Sequence, residues 1–353
     1  MSTDDPEILF DRRGAAGVIT LNRPQALNAV THGMVRALAS QLSQWADDPA
    51  IAHVVVTGNG GRAFSAGGDI RAVHDLGRAG RQAEALPFWR EEYVLNAMIK
   101  RYPKPYIALI DGIVMGGGVG ISVHGSHRVA GDNLLFAMPE VGIGFFPDVG
   151  GTWFLPRMPG EMGTYCALTG DRLKAGDALA TGIATHYVAS SRFPELIEAL
   201  TGKVPIDAIL SAFSTKLDGG PVMNRRGAID RLFTGDRVET ILDALDAEAE
   251  TESHDADWAR MSAKTIRAKS PTSLKLALAQ VRRGREWTFD ECMRAEFRIV
   301  SRVIYDQDFY EGVRAAIIDK DNAPHWRPEK LADVSDADIE RHFAPLADEL
   351  ELP

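Results

Sequence analysis

Two short apolar runs, Val54-Val55-Val56-Thr57 and Tyr106-Ile107-Ala108-Leu109-Ile110, each lead into a glycine-rich turn and then into a helical pattern. The turns are Phe64-Ser65-Ala66-Gly67-Gly68-Asp69 and Met115-Gly116-Gly117-Gly118-Val119-Gly120. Each run reads as a short buried strand. Strand, turn and helix in repetition predict an α/β fold with its functional groups at strand ends.

The flanking segments fit that frame. Ile8-Leu9-Phe10 and Val18-Ile19-Thr20-Leu21 alternate around a turn near Arg13-Gly14 and predict a hairpin. Met34, Leu38, Leu42 and Trp45 fall at helical spacing, so a helix is expected over Thr31 to Ala46 with Thr31 as N-cap. Further helices are expected over Asp69 to Leu76, where Asp69 reads as an N-cap, and over about Leu86 to Lys100. From about residue 205 strand signals stop, and helical spacing continues through Leu274, Leu278 and Val281. Thr288-Phe289-Asp290-Glu291 reads as a capping box. The division predicted is residues 1–204 as the core with the active site and 205–353 as a helical C-terminal region. The charged tail after Pro328 reads as a surface helix.

Composition narrows the function classes. A formal net charge of −10 argues against a nucleic-acid surface, and a phosphate-bearing ligand needs only a few local Arg or Lys. The most apolar stretch, Tyr106 to Val123, is broken by Asp111 and several glycines, which speaks against a membrane partner. Two cysteines, Cys166 and Cys292, make no disulfide framework and read as core residues in a reducing compartment. The stretch Met1-Ser2-Thr3-Asp4-Asp5-Pro6-Glu7 is acidic and lacks an apolar segment. It reads as neither a secretory signal nor an Arg-rich transit peptide, so a cytoplasmic location is expected.

Two carboxylates, Glu140 and Asp148, stand in a run that is otherwise Gly, Pro and apolar, from Ala137 to Gly151. Poor solvation there should raise their pKa toward the range useful for proton transfer or nucleophilic attack. Each glycine turn offers bare backbone N–H groups to a developing oxyanion. Acids with N–H donors, and no serine triad, point to chemistry on a thioester carbonyl. Other motifs carry less. Gly58-Asn59-Gly60-Gly61-Arg62-Ala63 formally matches a dinucleotide fingerprint, but Phe64 to Gly68 intervenes before any helix. His124 and His127 are three apart without a third ligand, and read as ordinary polar contacts on a helix rather than a metal site. Ser126 is not in a nucleophile elbow. Glu92, in Trp89-Arg90-Glu91-Glu92-Tyr93, taken alone reads as part of a solvated helix face.

Phe64 to Ile70 together with Met115 to Gly118 resembles the crotonase (enoyl-CoA hydratase/isomerase) superfamily. Met115 to Gly125, and Phe136 to Glu140 running into Ile143 to Gly151, are similar to its 3-hydroxyisobutyryl-CoA hydrolase subgroup. Leu168-Thr169-Gly170, Gly182 to His186, Ser270 to Lys275, Asp308 to Ala315 and Asp319-Lys320-Asp321 with Pro324 and Trp326 extend the likeness over nearly the whole chain. The resemblance implies a crotonase-like spiral of ββα repeats, from roughly residue 8 to 200, followed by a helical C-terminal region. It implies an oxyanion hole made by the N–H groups of Gly68 and Gly117, with Glu140 and Asp148 as the acids at the reacting centre. Glu92 would contact the acyl group, and the CoA portion would lie along Ala66, Gly67, Ile70 and Gly116, with Arg23 on a phosphate. Phe145, Phe146 and Trp153 would bear on pocket size. CoA is then part of the substrate, no separate cofactor or metal is implied, and homo-oligomers (trimers or multiples of trimers) are expected.

The implied reaction is hydrolysis of 3-hydroxyisobutyryl-CoA, with 3-hydroxypropionyl-CoA as a second substrate, in valine breakdown. One departure separates the subgroups: hydratases resemble Gly-Gly-Gly-x-Glu in the second turn, and the position of that Glu is Gly120 here. The alternatives are an enoyl-CoA hydratase or isomerase of the same fold, and a non-catalytic acyl-CoA-binding protein.

Overall fold

The chain winds so that each coil gives one strand to each of two sheets. The computed structural model describes residues 5–353; Met1 to Asp4, part of the acidic leader, lie outside the described residues. The hairpin forms from β1 (Ile8–Arg13) and β2 (Ala16–Leu21), and α1 (His32–Asp47) follows. The first full coil is β3 (His53–Gly58), β4 (Ala63–Ser65), α2 (Ile70–Arg78) and α3 (Gln82–Lys100). The second is β5 (Tyr106–Ile110), β6 (Ile113–Met115) and a single helical turn, Gly117–Gly120. β7 (His127–Ala130), β8 (Leu135–Ala137) and the two-residue β9 (His186–Tyr187) complete the strands.

The larger sheet has the order β1-β2-β3-β5-β7-β9 and the smaller β4-β6-β8. Among the strand pairs of the described residues, β1–β2 is antiparallel and the rest are parallel. β5 is buried along its whole length, as a parallel strand covered on both faces requires. This is the spiral of ββα repeats that the resemblance implies. The three short strands of the smaller sheet are what the sequence reading passed over: three residues are too few to show a period.

Local signals explain the helix starts. Thr31 caps α1 by accepting from the Met34 N–H, and Met34, Val35, Leu38, Leu42 and Trp45 bury its inner face. Thr288 and Glu291 form the reciprocal capping box of the helix Phe289–Val303. Asp69 does stand at the N-cap of α2, but its side chain caps nothing; its carboxylate instead accepts from Arg23 at 3.1 Å.

Among the described residues no strand follows Tyr187, and the chain continues as helices. One apolar cluster runs across both parts of the chain, joining Trp89, Phe145 and Val300 to Phe309. The tail helix, Asp336–Phe343, is not merely superficial: Ile339, His342 and Phe343 are buried, and Phe343 packs on Trp287 and under Arg283. Cys166 and Cys292 are free and buried, as expected for core residues. His124 and His127 share no helix. His124 is buried with its ring bonded to the Val149 carbonyl, whereas His127 opens β7 and meets Asp207. None of the described helices is long and apolar enough to cross a membrane.

Candidate active site

The smaller sheet brings the two glycine turns together. β4 pairs with β6 and β6 with β8, all parallel, so the residues just past their ends converge. Past β4 come Ala66, Gly67 and Gly68; past β6, Gly116 and Gly117; past β8, Glu140 at the head of a short 3-10 turn. The approach is close: a methyl group placed on Gly117 would lie 3.3 Å from the Gly68 nitrogen and 2.6 Å from Oε1 of Glu92. On Gly116 it would lie 3.2 Å from Cα of Gly67 and 3.6 Å from Oε1 of Glu140. Gly67 and Gly116 also have φ of +120° and +45°, which a side chain disfavours. The N–H of Gly117 heads a helical turn and is left over by helix geometry.

A cavity of about 630 Å³ opens over these turns. Ala66, Gly67, Gly68, Ile70, Gly116 and Gly117 line its floor, and Glu92, Glu140 and Asp148 stand in its wall. All three carboxyls are 6% exposed or less. Glu92 reaches the site because Trp89, Glu92, Tyr93 and Asn96 form the buried stripe of α3, while its neighbour Glu91 faces out and pairs with Arg36. The helical spacing of that stripe is the signal that would have lifted Glu92 out of a solvated face.

The electrostatics are lopsided. Burial pushes Glu92 and Glu140 well above the ordinary carboxyl range, and the charge of Asp148 raises both further. Asp148 is pushed up to about 7 by burial, against the Tyr93 hydroxyl, which donates to Oδ2 and favours the ionised form. Glu92 Oε1 and Glu140 Oε2 have no protein hydrogen-bond partner. Buried, unpaired carboxyl oxygens beside bare N–H groups are arranged to meet a ligand rather than each other.

Arg23 stands outside the cavity. Its guanidinium is taken by Glu7 at 3.0 Å and Asp69 at 3.1 Å, and donates to the Ala29 carbonyl at 2.7 Å, so the expected phosphate contact finds no support here. Two cations that sequence reading missed do line the cavity, Arg172 and Lys269. Neither forms an ion pair among the described residues, and burial lowers the Lys269 ammonium from its usual value. A methyl on Gly142 would sit 3.2 Å from the Lys269 nitrogen, which places that ammonium over the Glu140 turn. Their positions come only from tertiary folding, which no local motif announces.

Phe145 lines the cavity, whereas Phe146 is fully buried beneath it and Trp153 turns away under Arg157. Gly120 is closed off: a methyl there would lie 2.7 Å from Nδ2 of Asn96 and 2.8 Å from Cβ of Val149.

Known proteins align with this chain over most of its length. Residues 16–343 match the family described as Enoyl-CoA hydratase/isomerase. The chain is 45% identical to the "3-hydroxyisobutyryl-CoA hydrolase, mitochondrial" of Xenopus tropicalis, over 97% of this chain and 90% of that one. It is 43% identical to the human protein of the same description, over 96% and 89%. Among solved structures it is similar to a carnitinyl-CoA dehydratase from Mycobacterium thermoresistibile, with TM-score 0.93, 42% identity and coverage of 98% and 99%. It is also similar to an enoyl-CoA hydratase from Rhodobacter sphaeroides, with TM-score 0.90, 38% identity and coverage of 98% and 100%. Spiral, converging glycine turns and near-complete alignment agree: the chain belongs to the enoyl-CoA hydratase/isomerase (crotonase) family.

Proposed function

We propose that this chain hydrolyses the thioester of a short, branched 3-hydroxyacyl-CoA, with 3-hydroxyisobutyryl-CoA the principal substrate and 3-hydroxypropionyl-CoA a second. One observation carries the reading: Gly68 and Gly117 face buried Glu140 across one cavity, while position 120, the place of a hydratase's second acid, is walled by Asn96 and Val149. The thioester oxygen lies between the N–H groups of Gly68 and Gly117, which hold the oxyanion as it forms. A carboxylate oxygen of Glu140 attacks the carbonyl carbon; the C–S bond breaks, and the CoA thiolate takes the proton of Asp148. Water then adds to the acyl carbonyl of the acyl–Glu140 anhydride, giving one proton to Asp148 and keeping the other in the released acid, and Glu140 returns as the carboxylate. Glu92 steadies the acyl end. Lys269 and Arg172, rather than Arg23, take the phosphate-bearing end of CoA. No cofactor enters the scheme.

The dehydratase and hydratase descriptions of the two similar structures favour a second reading, addition of water to an enoyl-CoA, in which Glu92 stands in for the acid absent at Gly120. Thiol release from (S)-3-hydroxyisobutyryl-CoA, followed beside hydration of crotonyl-CoA, separates the two. Fast release without hydration supports the hydrolase, and hydration without release overturns it. Binding of both esters with neither reaction would make the chain an acyl-CoA binder. Valine breakdown is the process this activity serves. The compartment proposed is a reducing one, the cytoplasm, supported by two unpaired cysteines, although the relatives are described as mitochondrial. A trimer or a multiple of trimers is the proposed assembly.

A further inference from the structure

The loop that carries Asp148 is held from behind by side chains distant in sequence. Glu296, on the helix Phe289–Val303 and 0% exposed, accepts the N–H of Gly150 through Oε2 and that of Thr152 through Oε1, each at 2.8 Å. Gln280 donates to the Pro147 carbonyl at 3.1 Å and to the Thr152 hydroxyl at 2.8 Å. The His124 ring meets the Val149 carbonyl at 2.8 Å. Between these anchors Val149 has φ of +49° and Gly150 of +92°. A β-branched residue in the left-handed region is strained, and it persists only where its surroundings over-determine it.

We infer that Glu296 is a positioning residue for the hydrolytic reaction: its two backbone hydrogen bonds hold the strained Val149–Gly150 turn and thereby aim the Asp148 carboxyl at the cavity. The inference rests on the proposed reading of Asp148 as the proton donor. Glu296 touches no cavity surface and reacts with nothing. Its neighbours support the coupling. Tyr93 and Glu92 face Asp148 from α3, Glu140 from the turn after β8 and Glu296 from the C-terminal side, with Cys292 next to Glu296 on its own helix. No cation figures among the groups that shift these carboxyls. Burial pushes Glu296 itself up to about 8, against the two N–H donors, with the charge of Asp148 adding to the rise.

Glu296→Gln keeps the shape, leaves one of the two N–H groups without an acceptor and removes the neighbouring carboxyl. Two readouts decide. In acyl-CoA turnover, kcat should fall at least about tenfold with KM within twofold of the parent, as expected for a misaimed group acting after binding. In carbon-detected NMR of carboxyl-labelled aspartate, the Asp148 midpoint should move down toward the ordinary range, since the water admitted by the loosened turn favours the ionised form. Should Glu296→Gln not fold, Glu296→Asp, which keeps the charge and shortens the reach, is read in the same way. An unchanged kcat and an unmoved midpoint would overturn the inference, and so would a loss expressed wholly in KM. The NMR midpoint needs no turnover. A parent enzyme that fails to cleave the thioester therefore counts against the proposed reaction, while the midpoint still decides the role of Glu296.

Discussion

The Tyr93 hydroxyl donates to a carboxyl oxygen of Asp148 at 2.9 Å, with both groups shut away from water. Because Glu92 is the preceding residue, one turn of α3 steadies one acid and presents another. The bond favours ionised Asp148, so Tyr93→Phe should raise its midpoint from about 7, by up to about one pH unit. If Asp148 gives up the proton, turnover is lost as pH rises through that midpoint. The alkaline limb of kcat in Tyr93→Phe should then lie higher than in the parent, and a pH–rate profile of both checks this.

Glu140→Gln preserves volume and removes the attacking oxygen. Turnover should fall by about 10³-fold or more, in the range for loss of a reacting group. The dissociation constant for CoA, by calorimetry, should stay within about threefold, since the exchange leaves both cations of the cavity, Arg172 and Lys269, in place. Near-parental turnover would remove Glu140 from the mechanism.

Stability should depend on pH in a direction opposite to that of salt-bridged acids. Asp148 and Glu296 bind protons more tightly folded, at about 7 and about 8, than at their ordinary 3.8 and 4.5. Their contribution is therefore full below about pH 4 and disappears as pH rises through the folded values. Melting temperature should decline between about pH 4 and pH 8 and level off above, and Asp148→Asn should flatten the slope between about pH 4 and pH 7. Thermal melts of parent and variant, buffered at constant ionic strength, measure it.

Lys269 and Arg23 should behave differently when truncated. Lys269→Ala should raise KM for the CoA ester by about tenfold, the scale of one charge-assisted hydrogen bond, with kcat little changed. Arg23→Ala should leave KM within twofold and lower the melting temperature, because Glu7 and Asp69 lose their common partner. Initial-rate kinetics on the two variants distinguish a ligand contact from a structural tie.

What could be read in advance was whatever is written locally. Thr31 and Thr288 announce helix starts through their own side chains, and Gly67 and Gly116 announce turns through the φ values they permit. Glu140 and Asp148 stood out because their immediate neighbours are apolar. Glu296 had a faint signal: it lies on the stripe of Cys292, Met293, Ile299 and Val300, where an acid is out of place. Lys269 had none, and Arg172, two residues past the Gly170 turn, carried nothing to say that this turn closes on the cavity. The pairing of Arg23 with Glu7 and Asp69 was equally illegible, because the two acids are brought there by folding.

Gly120→Glu, the exchange that would restore the hydratase pattern, should lower the melting temperature and soluble yield and add no crotonyl-CoA hydration, since the first carbon of the new side chain already meets Asn96 and Val149. Both walls have other duties: Asn96 lies in the buried stripe of α3, and Val149 is the strained residue beside Asp148. The route from one chemistry to the other in this fold is therefore ordered. Space has to be cleared at 96 and 149 before an acid at 120 is of any use, and clearing 149 first loosens the turn on which the existing reaction depends. A lineage would cross that gap only by way of a poorly active intermediate or a spare gene copy.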